Sequence, residues 1–531
     1  MDPATLGEVL SLLMFATACG LLLLGFPVAF TLGGTALIFF GIGYGLDMVR
    51  LNELGALPNR FFGVMTNYVL VAVPLFVFMG VMLERSRIAE ALLETMGMLF
   101  GRLRGGLGVA VVLVGMLLAA STGIVGATVI TMGLLSLPVM INNGYNKRLA
   151  TGVICASGTL GQIIPPSIVL VLLGDILQGA ASQARNTLMA QGVFDVVVRP
   201  VNVLDLFAGA LMPGLMLVGM YMAWVLIKAF LDPSSAPPVD IQVDRRELWR
   251  RVLRVLMPPA VLILAVLGSI LVGAAPPTEA AAVGAIGATL LAGLAIADNE
   301  GLSRRPIYWA GIAIAVMVLA RIFLNLNFQR DIVAVTTYLS VAVVVVAAVF
   351  LVYGVAVALW RTYRSGILVE VMRSSMQITV MVFIILLGAS IFSMVFRALG
   401  GEEIVHDVLS ALPGGQFGAV LAVMALMFFL GFFLDYIEII FVVVPIVGPI
   451  LLVMGVDPVW LGVMMSINLQ MSFLTPPFGF ALFYLRGVAP PSVATMDIYR
   501  GIIPFVMIQL LALALIWAFP EIATWLPGLV G

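Results

Sequence analysis

Two double prolines interrupt apolar segments of this chain, Pro165-Pro166 in the first half and Pro476-Pro477 in the second. The first interruption sits in ATGVICASGTLGQIIPPSIVLVLLG and the second in LGVMMSINLQMSFLTPPFGFALFYL. Around them stand hydroxyls, amides and glycines: Ser157, Gly158, Thr159, Gly161 and Ser167 in one, Asn468, Gln470, Ser472 and Thr475 in the other. Proline removes a backbone donor, so carbonyls near each break lose their helical partners and need others. Neutral oxygens without a dense carboxylate cluster suit Na⁺. The helix that restarts after each break presents free N–H groups and a positive dipole end, which favours an anionic group.

Each break follows a shorter apolar run that begins with small or acidic residues. The first run is STGIVGATVITMG, from Ser121-Thr122-Gly123; the second begins after GFFLDYIEII, with Asp435 and Glu438. A carboxylate inside an apolar segment is costly and marks a functional candidate. The expected Na⁺ oxygens are therefore those of Ser121, Gly123, Ser157, Gly158, Thr159, Gly161, Asn468, Gln470, Ser472 and Thr475. The expected substrate contacts are Ser121, Thr122, Ser167, Asp435 and Thr475. The competing structural roles are plain: Ser and Thr in membrane helices often bond their own backbone, and Asp435 could simply cap a helix start.

The elements that must hold these residues are membrane helices. The chain has 531 residues, 62% hydrophobic and 10% charged, against about a quarter charged in soluble domains. That composition predicts an all-α polytopic membrane protein. A net charge of −1 argues against a nucleic-acid partner. Two distant cysteines, Cys19 and Cys155, make neither a disulfide framework nor a thiolate site, and the single His406 sits in the polar stretch GEEIVHDV. Histidine-based metal sites and Ser-His triads lack parts, and there is no P-loop, so neither catalysis nor ATP hydrolysis of that kind is expected. The N-terminus lacks a basic region before its first apolar run and reads as a first membrane helix rather than a cleaved signal.

Apolar runs place candidate spans at about 7–25, 27–45, 66–84, 107–121, 149–173, 206–231, 255–273, 280–297, 308–325, 333–359, 376–397, 416–434, 459–485 and 502–519. The runs 123–142 and 436–454 suit either re-entrant hairpins or full spans. Segments 85–104 and 398–413 are amphipathic and suit the membrane interface. Residues 175–202 read as a polar excursion. The stretch 232–254 is a Pro/Ser-rich linker followed by Arg245, Arg246, Arg250, Arg251 and Arg254, which favours the cytoplasmic side. Pro277-Thr278-Glu279 reads as a helix start, with Thr278 as cap.

An offset of 311 superimposes the two double prolines, Pro138 on Pro449, and Gly144 on Gly455; Gly108 meets Gly418 after a one-residue adjustment. These are residues that fix backbone shape, so the offset predicts a structural repeat. Interrupted spans at matching positions in two halves point to a secondary transporter. The expected division is N-terminal scaffold helices 1–60, a first repeat 61–175, a linker with connecting helices 176–297, an insertion 298–375, a second repeat 376–490, and a C-terminal helix 491–531.

GTLGQIIPPS, the PTEAAAVGA run from Pro277, FFLDYIEIIFVVVPIVGPIL and NLQMSFLTPPFG together resemble the large membrane subunit of tripartite ATP-independent periplasmic (TRAP) transporters. The resemblance covers most of the chain outside 175–202 and 298–375. It implies a Na⁺-driven importer of organic acids in the bacterial inner membrane, with a periplasmic substrate-binding protein and a small four-helix membrane subunit as partners. It also implies inverted repeats, each with a re-entrant hairpin and a broken helix, working as an elevator. Only about 60 residues precede the first repeat, so the small subunit is expected as a separate chain. A stand-alone Na⁺/dicarboxylate symporter and an integral-membrane enzyme are the rival readings; the second lacks a nucleophile–base pair or metal cluster.

Overall fold

A computed structural model describes residues 3–193, 198–239, 244–323 and 335–530; at 3, 4, 121, 122, 245 and 335–337 it describes the backbone only. The described residues form helices and no strand. Twelve helices among them are long and apolar enough to cross a membrane.

The two halves run through the same order of elements. In the first, an outer helix Ala72–Arg85 leads to a short amphipathic helix Ile88–Phe100. A hairpin of Gly106–Thr122 and Val125–Asn142 follows, then a pre-break helix Lys147–Thr159, the break, and a post-break helix Ile168–Ala190. In the second, Ile367–Ala398 leads to Gly401–Ser410. The hairpin is Gln416–Leu430 and Tyr436–Val453, the pre-break helix is Pro458–Leu474, and Phe480–Val488 follows the break. The runs 123–142 and 436–454 form Val125–Asn142 and Tyr436–Val453, each the second helix of a helix–turn–helix pair and each long enough to cross a membrane, and the amphipathic segments are helices as expected.

Local sequence explains the matching boundaries. Gly144 and Gly455 hold positive φ, at 79° and 93°, just after the second hairpin arms. Glycine ends a helix this way without a Cβ penalty. Two residues on, Asn146 and Asp457 restart the chain as N-caps. The Asn146 side chain accepts the Arg148 N–H at 2.9 Å, and Asp457 accepts those of Val459 and Trp460 at 2.9 Å each. Capping of this kind contributes about 1 kcal/mol per helix.

Burial separates centre from edge. The second hairpin arm is 83% buried along its window, whereas Tyr338–Arg364 is 17% buried. The latter belongs to the insertion, whose helices Arg305–Phe323 and Val335–Arg364 pack on each other and on Pro277–Glu300. They share a small cluster of their own, Leu290, Ile307, Ala310 and Ala358, apart from the main core. The main core includes fully buried Tyr221 and Phe505, in edge-to-face contact at 5.3 Å.

Some expectations need correction. Residues 175–190 are not a polar excursion: the first post-break helix continues through Ala190, with its apolar side buried, Gln178, Ser182, Arg185 and Asn186 exposed, and Asp175, Gln183 and Thr187 half-buried. Thr278 is not a cap. The helix begins at Pro277, and the buried Thr278 hydroxyl lies inside it without a hydrogen-bond partner; Glu279 does stand in the first turn. The basic stretch forms the helix Arg245–Val255, and Arg251 pairs with Glu94 on the amphipathic helix of the first half. His406 is exposed beside Asp407, 3.4 Å away.

Candidate functional site

The two breaks meet. Gln470 Nε2 donates to Thr159 Oγ1 at 3.2 Å, and these residues are 311 positions apart. Residues that the 311-residue offset pairs therefore touch each other. Nearby, the Gln162 carbonyl, released by the first break, accepts two hydroxyls: Ser167 from its own half and Ser466 from the other, each at 2.9 Å. This carbonyl found a protein partner rather than needing an ion.

The other hydroxyls also bond carbonyls of their own helices. Ser157 donates to Val153, Thr159 to Ala156 at 2.9 Å, Ser472 to Leu469 at 2.7 Å, and Thr475 to Met471 at 2.8 Å. A hydroxyl that donates keeps its oxygen lone pairs available, so this arrangement still presents acceptors to a cation. Asn468 Nδ2 donates to the Met424 carbonyl at 2.8 Å and so ties the second break to its hairpin.

Each hairpin tip lies against its own break through small residues. A Cβ on Gly161 would stand 3.2 Å from the Ala119 carbonyl oxygen, and one on Gly123 would stand 3.1 Å from Ile168. Gly123 holds φ 60°, where the chain turns between the arms. Gly158 meets Val129 of the second arm with no room for a side chain. On the other side a Cβ on Gly431 would come within 2.7 Å of Ser472 Cβ. The side chains of Ser121 and Thr122, expected at the first tip, lie outside the described residues.

The tips differ chemically. Asp435 is the N-cap of the second arm: its carboxylate accepts the Tyr436 N–H at 2.7 Å, and the Glu438 carboxylate accepts the Asp435 N–H at 3.1 Å. This is a reciprocal capping box. The residue 311 positions earlier is Ile124, which has no oxygen with which to cap Val125–Asn142. The helix after the first break also starts without a side-chain cap; the Ser167 hydroxyl there donates to the Gln162 carbonyl.

The breaks differ in exposure as well. Residues 157–168 are all buried, whereas Thr475 and Pro476 are half-buried and Pro477 and Phe478 exposed. Aromatic rings border the second break, with Phe433 5.1 Å from Phe478 and Phe473 5.0 Å from Phe480. Both double prolines contain a cis peptide bond.

Sequence reasoning overlooked Gln162. Its side-chain amide is fully buried with neither atom partnered, and Gln470 Oε1 is likewise unpartnered. An amide inside an apolar run, three residues before Pro165, was the available signal. Two carboxylates in apolar segments were also passed over. Glu84 accepts from Thr131 of the first hairpin at 3.3 Å, and Asp175 of the post-break helix accepts from Asn67 at 2.7 Å. No cluster of metal-ligating His, Cys, Asp or Glu occurs among the described residues.

Known proteins agree with this architecture. The chain matches the profile of the tripartite ATP-independent periplasmic transporter, DctM component, over residues 15–326 and 307–522. It is 26% identical to a C4-dicarboxylate TRAP transporter large permease of Vibrio cholerae, over 98% of this chain and 97% of the relative. It is 24% identical to an ectoine TRAP transporter large permease of Halomonas elongata, covering 97% and 99%. A sialic acid TRAP large permease of Vibrio cholerae is 23% identical, covering 96% of each chain. In fold it is similar to the crystal structure of the Alcanivorax borkumensis YdaH transporter, with a TM-score of 0.52 at 15% identity, over 97% and 98% of the chains. A chain with twelve candidate spans among its described residues and two helix breaks that meet, matched to this family along nearly its whole length, belongs to the large membrane components of TRAP transporters, transport proteins of the bacterial inner membrane rather than enzymes.

Proposed function

We propose that this chain is the translocating subunit of a Na⁺-coupled importer of organic acids, fed by a periplasmic substrate-binding protein and assembled with a small membrane subunit. The observation that carries the reading is the meeting of both breaks at the Thr159–Gln470 bond, each break under its own hairpin tip. A single place reached by both halves is what alternating access requires. The relatives named for C4-dicarboxylate and sialic acid support a carboxylate substrate; the one named for ectoine leaves room for a zwitterion that carries a carboxylate.

The chemistry divides between the halves. Na⁺ is taken by oxygens at the tips and breaks: the Ser121 and Gly123 region with Ser157, Gly158, Thr159 and Gly161 on one side, and Asn468, Gln470, Ser472 and Thr475 on the other. The unpartnered amide oxygens of Gln162 and Gln470 favour an added polar occupant, since a buried acceptor left empty costs about 1–3 kcal/mol. The substrate carboxylate is taken at the first tip, by Ser121 and Thr122, and at the uncapped helix start beside Ser167, where N–H groups and dipole favour it. At the second tip Asp435 already fills that role with its own carboxylate; with Thr475 it borders the substrate there.

Counting supports inverted repeats. If each hairpin returns to its own side and each broken helix crosses once, an even number of crossings separates Ala72–Arg85 from Ile367–Ala398, so the outer helices point in opposite directions. The basic helix Arg245–Val255 then puts the base of the first hairpin on the cytoplasmic side and that of the second on the periplasmic side. Movement of the hairpin-and-break body against the outer helices is the elevator step.

The test is uptake of a labelled carboxylate into proteoliposomes holding this chain, its small subunit and loaded binding protein. Uptake is expected to require an inward Na⁺ gradient and to be indifferent to ATP. Full uptake from a proton gradient without Na⁺ sinks the coupling. Uptake by this chain alone assigns it instead to stand-alone symport.

A further inference from the structure

A cavity of about 370 Å³ lies between the outer helix Ile367–Ala398, the short helix Leu57–Met65, the first post-break helix and the second hairpin arm. Its wall is graded. One end carries Arg60, Arg397 and Gln183; Ser390 and Ser393 stand between, their hydroxyl donors spent on the Leu387 and Ser390 carbonyls; the other end is closed by Leu386, Ile176 and Phe441. The polar end is fixed by a shared carboxylate: Glu402 accepts from Arg397 at 3.4 Å through one oxygen and from Gln183 at 2.6 Å through the other. Leu386 precedes Arg397 by eleven residues on its helix, about 16 Å at 1.5 Å per residue, so the grading runs along the outer helix.

The charges at the polar end do not balance. Arg60 is half-buried and has no hydrogen bond or ion pair to a protein group among the described residues. Burial, and then the neighbouring Arg397 charge, push its pKa below the ordinary arginine value. An arginine stays protonated regardless, so two guanidiniums here face one carboxylate. An excess half-buried positive charge beside a cavity calls for an anion.

We propose that this cavity binds the phosphate of an anionic membrane phospholipid, with Arg60 and Arg397 on the phosphate and the apolar end receiving the start of an acyl chain. The grading decides for an amphiphile. A soluble dicarboxylate held by the arginines would turn its second charge toward Leu386 and Phe441, a desolvation that nothing there offsets. Guanidinium and phosphate form paired, charge-assisted hydrogen bonds, which suits both arginines. The inference stands apart from the assignment of substrate and coupling ion, since none of these residues lies at the breaks or tips.

Native mass spectrometry of the full-length protein tests it, after exchange into nanodiscs of phosphatidylglycerol and phosphatidylethanolamine and extraction into mild detergent. The expected result is retained phosphatidylglycerol that Arg60→Gln lowers on the order of ten-fold, the loss of one charge-assisted contact. Leu386→Trp, which fills the apolar end and leaves both arginines, should lower it too. Monodisperse elution and an unchanged melting temperature confirm that each variant is folded. Equal phosphatidylglycerol retention by the unaltered protein and Arg60→Gln overturns the proposal. So does calorimetric binding of succinate or inorganic phosphate that depends on Arg60 but ignores Leu386→Trp, because the occupant would then be a soluble anion.

Discussion

Asp435 carries two separable properties, a cap and a charge. Its carboxylate accepts a backbone N–H at the start of the second hairpin arm, and it sits at the tip that borders the second break. Asparagine caps about as well as aspartate, whereas alanine does not. Asp435→Asn should therefore keep the melting temperature and still reduce uptake several-fold, while Asp435→Ala should in addition lose about 1 kcal/mol of stability. Near-normal uptake by Asp435→Asn would confine the residue to capping. The same separation applies to the hydroxyls. Thr159, Ser472 and Thr475 each satisfy a carbonyl of their own helix, so their donors are used and only lone pairs remain for a ligand, one of those on Thr159 already taken by Gln470.

Hairpins and breaks are held together by the absence of side chains. Gly431 ends the first arm of the second hairpin directly over Ser472. Its φ is −67°, so an alanine there would meet no backbone strain. The added methyl would nevertheless fall 2.7 Å from Ser472 Cβ and push the tip off the break. Gly431→Ala is expected to cost about 1–3 kcal/mol by overpacking and to cut uptake, and Gly431→Ala with Ser472→Gly should recover stability. Thermal unfolding of the two variants decides this: equal melting temperatures would show that tip and break are not in the contact described. The first hairpin closes differently, with Gly158 and Gly161 placed on the break itself. At this contact the glycine stands on opposite partners, Gly431 on the second hairpin and Gly161 on the first break, while Gly123 adds a second close approach at the first tip.

At the scale of the molecule, the insertion stands outside the machinery. Arg305–Phe323 and Val335–Arg364 carry a satellite cluster separate from the main core, and the second of them is mostly unburied. Removing both takes away an even number of spans, so the orientation of everything after them is preserved. A chain lacking 303–365 should insert, elute as a single species and keep the cysteine accessibility pattern of positions placed after the deletion. Inverted accessibility or failure to insert would show that the pair sets topology. The contact between the breaks has its own consequence, because Thr159 and Gln470, 311 positions apart, bond each other. Exchanging them, Thr159→Gln with Gln470→Thr, should restore stability that either single change loses.

Much of this protein was legible in its sequence because membrane helices announce themselves locally. Apolar runs located the membrane helices, although 107–121 and 416–434, expected as spans, form helices of only 17 and 15 residues. Gly and Pro at a constant offset marked matching helix ends and breaks, since both residue types act on the backbone where they stand. The capping role of Asp435 was open as an alternative for the same reason. Errors arose where local polarity misled: the helix to Ala190 looked like a loop because its outward face is polar, and Thr278 looked like a cap because its burial inside a helix is not visible in the chain. What only the tertiary structure decided is which distant groups meet. The Ser466 hydroxyl reaches the Gln162 carbonyl across 304 residues, and Gln470 reaches Thr159 across 311. Gln162, marked in the chain only by its place before the first double proline, proved to be a buried amide left without a partner. Sequence determines where a helix must break, because that depends on neighbouring residues; where the freed polar groups find partners depends on packing between helices far apart in the chain.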